Sequence, residues 1–142
     1  MVIKQISISL DNTPGALSVV SEILGREGVN IRAISVADTS DISTVRFVVD
    51  DPIKAKNILK TNGYSPKETD VIAVETPDHA GGLSAVLKPL KNAGINVHYL
   101  YPHLGRVSSS AIVILGVDKT EEAQKVLKQN WVHTVGKEAY NI

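Results

Sequence analysis

The sequence predicts an α+β protein built as two copies of one βαββαβ unit. Three observations carry that expectation. Apolar residues switch between period two and period 3.6 in the order strand, helix, strand, strand, helix, and the order then begins again. Sliding the chain by 66 residues sets Gly15, Leu17, Ser18, Val20, Leu24, Gly28 and Asn30 on Gly81, Leu83, Ser84, Val86, Leu90, Gly94 and Asn96, seven identities across the sixteen positions 15–30. The chain has 142 residues, room for two units that are each too small to bury a comfortable core alone.

Taken in order, Val2 to Leu10 alternates, with Ile6, Ile8 and Leu10 on one face and Gln5, Ser7 and Ser9 on the other. Asn12-Thr13-Pro14-Gly15 breaks that period. Thr13 reads as a helix N-cap and Pro14 as a first helical residue, where its missing N–H is no loss. Ala16, Leu17, Val20, Ile23 and Leu24 make an apolar stripe that ends near Gly28. Val29–Val36 and Ser43–Val49 read as strands. Asp50 or Asp51 before Pro52 opens a second helix, whose Ile53, Ile58 and Leu59 point inward and which Asn62-Gly63 stops. A short strand around Tyr64–Glu68 is expected to close a first unit of residues 1–68.

The second unit, 69–142, repeats the order. Thr69–Glu75 is a strand, Asp78-His79-Ala80-Gly81-Gly82 a turn, and Leu83–Ala93 a helix that Pro89 is expected to kink. Ile95–Tyr101 and Ser110–Val117 are strands, with Ser108-Ser109-Ser110 as a polar entry to the second. Thr120–Gln129 is a helix and Trp131–Val135 a closing strand. Each half is thus expected to be ferredoxin-like. Away from the helices the first half carries Ser7, Ser9, Arg32, Thr44 and Arg46, which suits water. In the second, Ala111-Ile112-Val113-Ile114-Leu115 is apolar on both faces, and Val71 and Ala73 flank Ile72. A sheet apolar on both sides expects cover on both sides, so this face is expected to seat a second subunit in a homodimer.

Composition narrows the function classes. Fifteen basic residues balance fifteen acidic ones, which recommends neither nucleic acid nor an anionic membrane as partner. There is no cysteine, so thiol nucleophiles, disulfides and thiolate metal sites are excluded. No apolar run is long enough to span a bilayer and the start lacks a signal peptide's apolar block, so a cytoplasmic protein is expected. The four histidines, His79, His98, His103 and His133, match no zinc spacing, and no nucleophile elbow, P-loop or dinucleotide fingerprint occurs. No cofactor, metal or catalytic centre is expected. An enzyme would need His98, His103 and Arg106 to meet in one cleft.

What remains is the turn after the first strand of each unit. A glycine there lets a ligand approach the backbone, and the first turn of a helix offers N–H groups that suit a carboxylate. Gly15 and Gly81 match across the repeat, as do Asn30 and Asn96, which follow helix-ending glycines at the edge of what reads as the same crevice. The residues alone leave two readings open: a ligand cradle, or glycines and asparagines that merely end helices and tie down turns.

Asn12-Thr13-Pro14-Gly15-Ala16-Leu17 with Gly28-Val29-Asn30-Ile31, and Asp78-His79-Ala80-Gly81-Gly82-Leu83 with Gly94-Ile95-Asn96-Val97, resemble the signature of the ACT domain, a small-molecule-binding regulatory module of amino-acid metabolism. The resemblance covers essentially the whole chain, as a free-standing tandem pair. It implies units set side by side, an eight-stranded antiparallel sheet with four helices on one face. It implies an amino acid held at an interface between units, by Asn12, Thr13, Pro14, Gly15, Ala16 and Asn30 in the first and by Asp78, His79, Ala80, Gly81, Gly82 and Asn96 in the second. Ala80 stands where the signature has proline, so the second turn is expected to be looser, and Tyr99 and Tyr101 are candidates to wall a pocket. The function implied is a non-catalytic regulator that signals to a separate biosynthetic enzyme. The alternative is a ligand-free docking scaffold.

Overall fold

The computed structural model describes residues 1–107 and 110–142. Its elements are β1 (Ile3–Asp11), α1 (Ala16–Arg26), β2 (Ile31–Asp38), β3 (Ile42–Val49), α2 (Pro52–Thr61), β4 (Lys67–Pro77), α3 (Gly82–Asn92), β5 (Val97–Val107), β6 (Ser110–Val117), α4 (Thr120–Gln129) and β7 (Thr134–Val135), then a 3₁₀ turn over Lys137–Tyr140. Two compact units result: Lys4–Thr69, and Met1–Ile3 together with Asp70–Ile142. Among the described residues no helix is long and apolar enough to cross a membrane. Of the serine run read as a strand entry, Ser108 and Ser109 lie outside the described residues, and Ser110 opens β6.

The eight-stranded sheet is corrected: seven strands form among the described residues. Tyr64–Glu68 does not make a strand of its own. β4 begins at Lys67 and continues to Pro77, because Lys67-Glu68-Thr69-Asp70 contains neither the glycine nor the proline that would break it.

In the first unit β3 lies between β1 and β2, antiparallel to both, with Phe47 opposite Ile6 on one side and Ile34 on the other. Ile6, Ile8, Leu10, Val45, Phe47 and Val49 meet Val20 and Leu24 of α1 and Ala55 and Leu59 of α2 in one core. In the second unit β4 pairs with β6 and β7, and β5 with β6, so the order β7-β4-β6-β5 is that of a complete ferredoxin-like unit. Its core joins Ile72, Val74, Val113 and Leu115 to Val86, Leu90, Ala123 and Leu127. Both units carry a register shift at the same repeat position, between Ile31 and Ala33 and between Val97 and Tyr99.

The second unit's other sheet face does not wait for a partner. Val71, Ala73, Ile112 and Ile114 are each 0% exposed in the single chain, which removes the reason for placing a homodimer on that face. Nor is the first unit's polar face a wet one throughout. Ser9 is exposed, but Ser7, Arg32, Thr44 and Arg46 are half-buried and Gln5 is buried.

Matched hydrogen bonds brace the two copies. The amide of Asn30 donates to the Asp50 carboxylate (2.9 Å) and the Asp50 amide returns to the Asn30 carbonyl (3.0 Å). Asn96 and Asp118 make the same pair at 3.0 and 3.2 Å. Asp51 caps α2 by accepting from the Lys54 amide (3.1 Å) with Pro52 in the first turn, as the sequence leads one to expect. Glu121 and Glu122 sit in the first turn of α4, where they complement the dipole. α3 runs through Pro89 as one helix.

All four helices end alike. The amide two residues past the cap reaches back to the last turn: Val29 to Leu24, Tyr64 to Leu59, Ile95 to Leu90 and Val132 to Leu127, at 2.9–3.0 Å. That is the Schellman ending, which needs a left-handed residue between. Gly28, Gly63 and Gly94 fill the place at φ 77°, 88° and 70°; in the fourth helix the residue is Trp131, at φ 61°.

Two outcomes follow. Replacing Trp131 with glycine removes a left-handed penalty of about 1–2 kcal/mol and is expected to raise the melting temperature by a few degrees, read by calorimetry. Asp50→Ala and Asp118→Ala each remove the carboxylate partner of an exposed amide at a strand opening, and denaturant titration is expected to show a loss of about 0.5–1.5 kcal/mol for each.

Candidate functional site

The proline and glycine between β1 and α1 build a type II turn rather than a capped helix start. Gly15 has φ 86° and ψ −11°, the third position of such a turn, and the Ala16 amide closes it on the Thr13 carbonyl at 3.3 Å. Pro14 holds the second position, where its fixed φ belongs. The helix therefore starts at Ala16 with Gly15 as its cap residue, two residues later than the reading of Thr13 as N-cap and Pro14 as first helical residue.

The second unit reproduces this geometry. Gly81 has φ 84° and ψ −4°, and the Gly82 amide closes the turn on the His79 carbonyl at 3.0 Å. The expectation of a looser turn at Ala80 is corrected: the second position needs an ordinary negative φ, which alanine adopts without proline's help. Gly82 is buried against the Pro77 carbonyl, with no space there for a side chain.

This geometry decides which amides a ligand can use. The Ala16 and Gly82 amides are engaged inside their turns. The next two donors of each helix, Leu17 and Ser18 in the first unit and Leu83 and Ser84 in the second, have no intrahelical acceptor by construction. Neither helix start has a side-chain cap.

The remaining predicted residues are placed as follows. Asn12 ties its turn to the β2–β3 connection, its amide donating to Asp41 (2.8 Å) and its side-chain Nδ2 to the Ser40 carbonyl (3.0 Å). Asp78 accepts from Arg106 Nη2 at 2.8 Å, an exposed ion pair across the second turn. His79 Nδ1 lies 2.9 Å from the Ala80 carbonyl. Asn30 and Asn96 do not share a crevice with the turn of their own unit. The 11-residue helix α1 separates Asn30 from Gly15, and α3 separates Asn96 from Gly81, roughly 16 Å of helix in each case. Asn96 Nδ2 lies 3.3 Å from His98 Nδ1.

The aromatic and histidine candidates are committed elsewhere. Tyr99 and Tyr101 stack with centroids 6.3 Å apart; Tyr101 is buried, and the Tyr99 ring covers Gly116. Buried His103 bridges Ala139 O (Nε2, 2.7 Å) and the Gly105 amide (Nδ1, 2.8 Å). These contacts fit a neutral ring whose Nε2–H donates to the carbonyl, pinning the 3₁₀ turn. Beside it Glu138 is held below its ordinary 4.5 by hydrogen bonds from its own amide and that of Gly136, with His133 adding a smaller effect. Among the described residues no three His, Cys, Asp or Glu side chains gather as metal ligands.

The feature that sequence reasoning passed over is a groove of about 360 Å³ beside the first turn of α1. Leu17, Val20, Ile31, Ile34, Val45 and Phe47 make its walls, with Ser18 and Ser21 on the helix side. No charged side chain lines it. The same Leu17 and Ser18 carry the two amides left over by the turn.

A family model of the ACT domain pair matches residues 1–141. No curated protein sequence matches the chain. Among solved structures, protein BT0572 from Bacteroides thetaiotaomicron is 32% identical over 100% of this chain and 98% of its own, with a TM-score of 0.93. The regulatory subunits of aspartate kinase from Thermus thermophilus (ligand-free form) and Thermus flavus share the fold at 16% identity, each over 90% of this chain and 92% of theirs. Their TM-scores are 0.65 and 0.61. The repeated turn, the repeated βαββαβ order and the match along the chain agree: the protein belongs to the ACT domain pair family.

Proposed function

We propose that this protein is a non-catalytic regulator of the cytoplasm that binds an amino acid at the start of α1 and passes its occupancy to a separate enzyme. One observation carries the reading. Leu17 and Ser18, whose amides the turn leaves without an intrahelical acceptor, are also lining residues of an uncharged apolar groove of about 360 Å³. A ligand with a carboxylate beside an aliphatic side chain fits both: the carboxylate faces the helix N-terminus and the side chain enters the groove. Asn12, Thr13, Pro14, Gly15 and Ala16 set the helix entry and the angle of those amides. Asn30 stands at the far end of α1 from that turn. The fold shared with regulatory subunits of aspartate kinase supports a regulator that acts on another chain.

The first turn is favoured over the second. Around Asp78, His79, Ala80, Gly81 and Gly82 the turn has the same geometry, but Glu75 and His133 line the hollow beside Ala85 and Val86 of α3, whereas no charged side chain lines the groove at Leu17 and Ser18. Asn96 stands at the other end of α3 from that turn, as Asn30 does from the first.

Two charge-assisted contacts at roughly 1.5–3 kcal/mol each and one buried aliphatic side chain at roughly 1.5–3 kcal/mol make about 5–9 kcal/mol before the cost of fixing the ligand. Binding is then expected nearer millimolar than nanomolar. Melting curves with each of the twenty amino acids at about 5 mM are expected to rise by a few degrees with Leu, Ile or Val and not with Asp, Glu, Lys or Arg. A flat panel sinks the reading and leaves a ligand-free docking scaffold in its place.

Ser18→Asp, at an exposed position of the first turn, separates the site from the fold. An acidic residue in the first turn of a helix is stabilising by roughly 0.3–1 kcal/mol, yet it repels a carboxylate bound there. The unliganded variant is expected to melt no lower than the parent, and the ligand-induced rise is expected to vanish. A retained rise places the site elsewhere. Valine at Gly15 or Gly81 is the poorer probe. Both glycines stand at positive φ with open space where a Cβ would go, so the variant tests backbone strain rather than ligand contact.

A further inference from the structure

The four helix endings compare like with like, and one of them departs. Three carry glycine at the left-handed position and the fourth carries Trp131, the chain's single tryptophan. A bulky residue at that φ is strained where glycine is not. The indole does not recover that strain by burial, for Trp131 is 95% exposed. The position thus gives up stability to present a large aromatic side chain to solvent.

We propose that Trp131 anchors an interface with a second copy of this chain. Trp131 forms one wall of a groove of about 240 Å³ that Pro77, Ala85, Val86 and Val132 line together with Ser110 and Asn130. A two-fold interface uses the same patch on both partners, so a protruding side chain and the hollow that receives it must lie next to each other. Trp131 and this groove meet that condition. The charges around them are of both signs. Glu75 and His133 border the groove, and the adjoining hollow, which shares Val132 and His133, is lined by Lys125 and Lys128. Across a two-fold axis the acid of one copy can face the lysines of the other, whereas a strongly acidic or strongly basic partner meets one sign unmatched. Tryptophan is also the residue type most enriched where interfaces hold their affinity. The surface is distinct from the apolar sheet face of Val71, Ala73, Ile112 and Ile114, which is buried in the single chain.

The test is sedimentation equilibrium of the full chain from about 1 to 200 μM, with Trp131 emission followed over the same range. The parent is expected to dimerise within it and its emission to shift to the blue. Trp131→Gly, and Ala85→Arg at an exposed position of the groove, are each expected to weaken dimerisation at least tenfold. Measured at about 1 μM, Trp131→Gly is expected to melt no lower than the parent. A parent that stays monomeric at the top of the range overturns the proposal, as does a Trp131→Gly protein that dimerises as tightly as the parent. A lower melting temperature for Trp131→Gly in dilute solution overturns it too, by removing the strain on which it rests. A blue shift that needs some other added protein, with the chain itself monomeric, gives the surface to a different partner and overturns it equally.

Discussion

The left-handed glycine that turns a strand into a helix is the constraint on which the rest of each unit depends. At Gly15 the chain must leave β1 and enter α1 within four residues, and only a type II turn with positive φ at its third position does so here. That turn sets the direction of α1, which brings Val20 and Leu24 onto Ile8 and Phe47. It also engages the first helical amide, so the donors left for a ligand begin one residue later, at Leu17. The position of the turn, the seating of the helix and the chemistry of the helix start are one fact seen at three scales. The repeat supports this. Gly81 reproduces Gly15 to within a few degrees, while Pro14 is replaced by Ala80 without visible effect. Glycine is required at its place and proline merely assists at its own.

The order of elements was legible because each strand and helix declares its period and each helix is closed by a glycine or an asparagine-containing end. What was not legible has particular physical causes. Thr13 and Pro14 satisfied the usual preferences for a helix start, but the positive φ of Gly15 moved that start to Ala16. The strand expected at Tyr64–Glu68 does not form by itself, because no breaker divides Lys67 from Pro77 and β4 runs through. The two-sided apolar pattern of Ala111–Leu115 correctly implied cover on both faces, but a pattern of polarity says nothing of where the cover comes from. Val71, Ala73, Ile112 and Ile114 are covered without a second chain.

At the candidate site the glycine turn forms, but the first helical amide is engaged within it and the asparagine stands at the other end of the helix. The site's glycine, its helix and its unengaged amides follow from residue types, whereas the distance from Gly15 to Asn30 follows from the length of α1. The sequence shows two matched motifs near each other in the repeat. It does not show that a helix of 11 residues holds them apart. The groove was hidden for a related reason. Leu17, Val20, Ile31, Ile34, Val45 and Phe47 read as core, and periodicity does not distinguish a stripe that is filled from one that leaves a hollow along its edge.

A duplicated unit also supplies its own reference state, which lets departures be ranked by what they cost. The exchange of Pro14 for Ala80 leaves the turn intact, so it implies nothing. The exchange of Leu10 for Thr76 puts a hydroxyl at a position 6% exposed, where among the described residues its Oγ1 has no hydrogen-bond partner; nothing in the structure explains it. The exchange of Gly63 for Trp131 keeps the same helix ending at a strained φ and leaves the aromatic ring in water. The first is silent and the second is an interior polar group with no visible purpose. Only the third trades stability for something placed outside the molecule, and a gain outside the molecule has to be an encounter with another one.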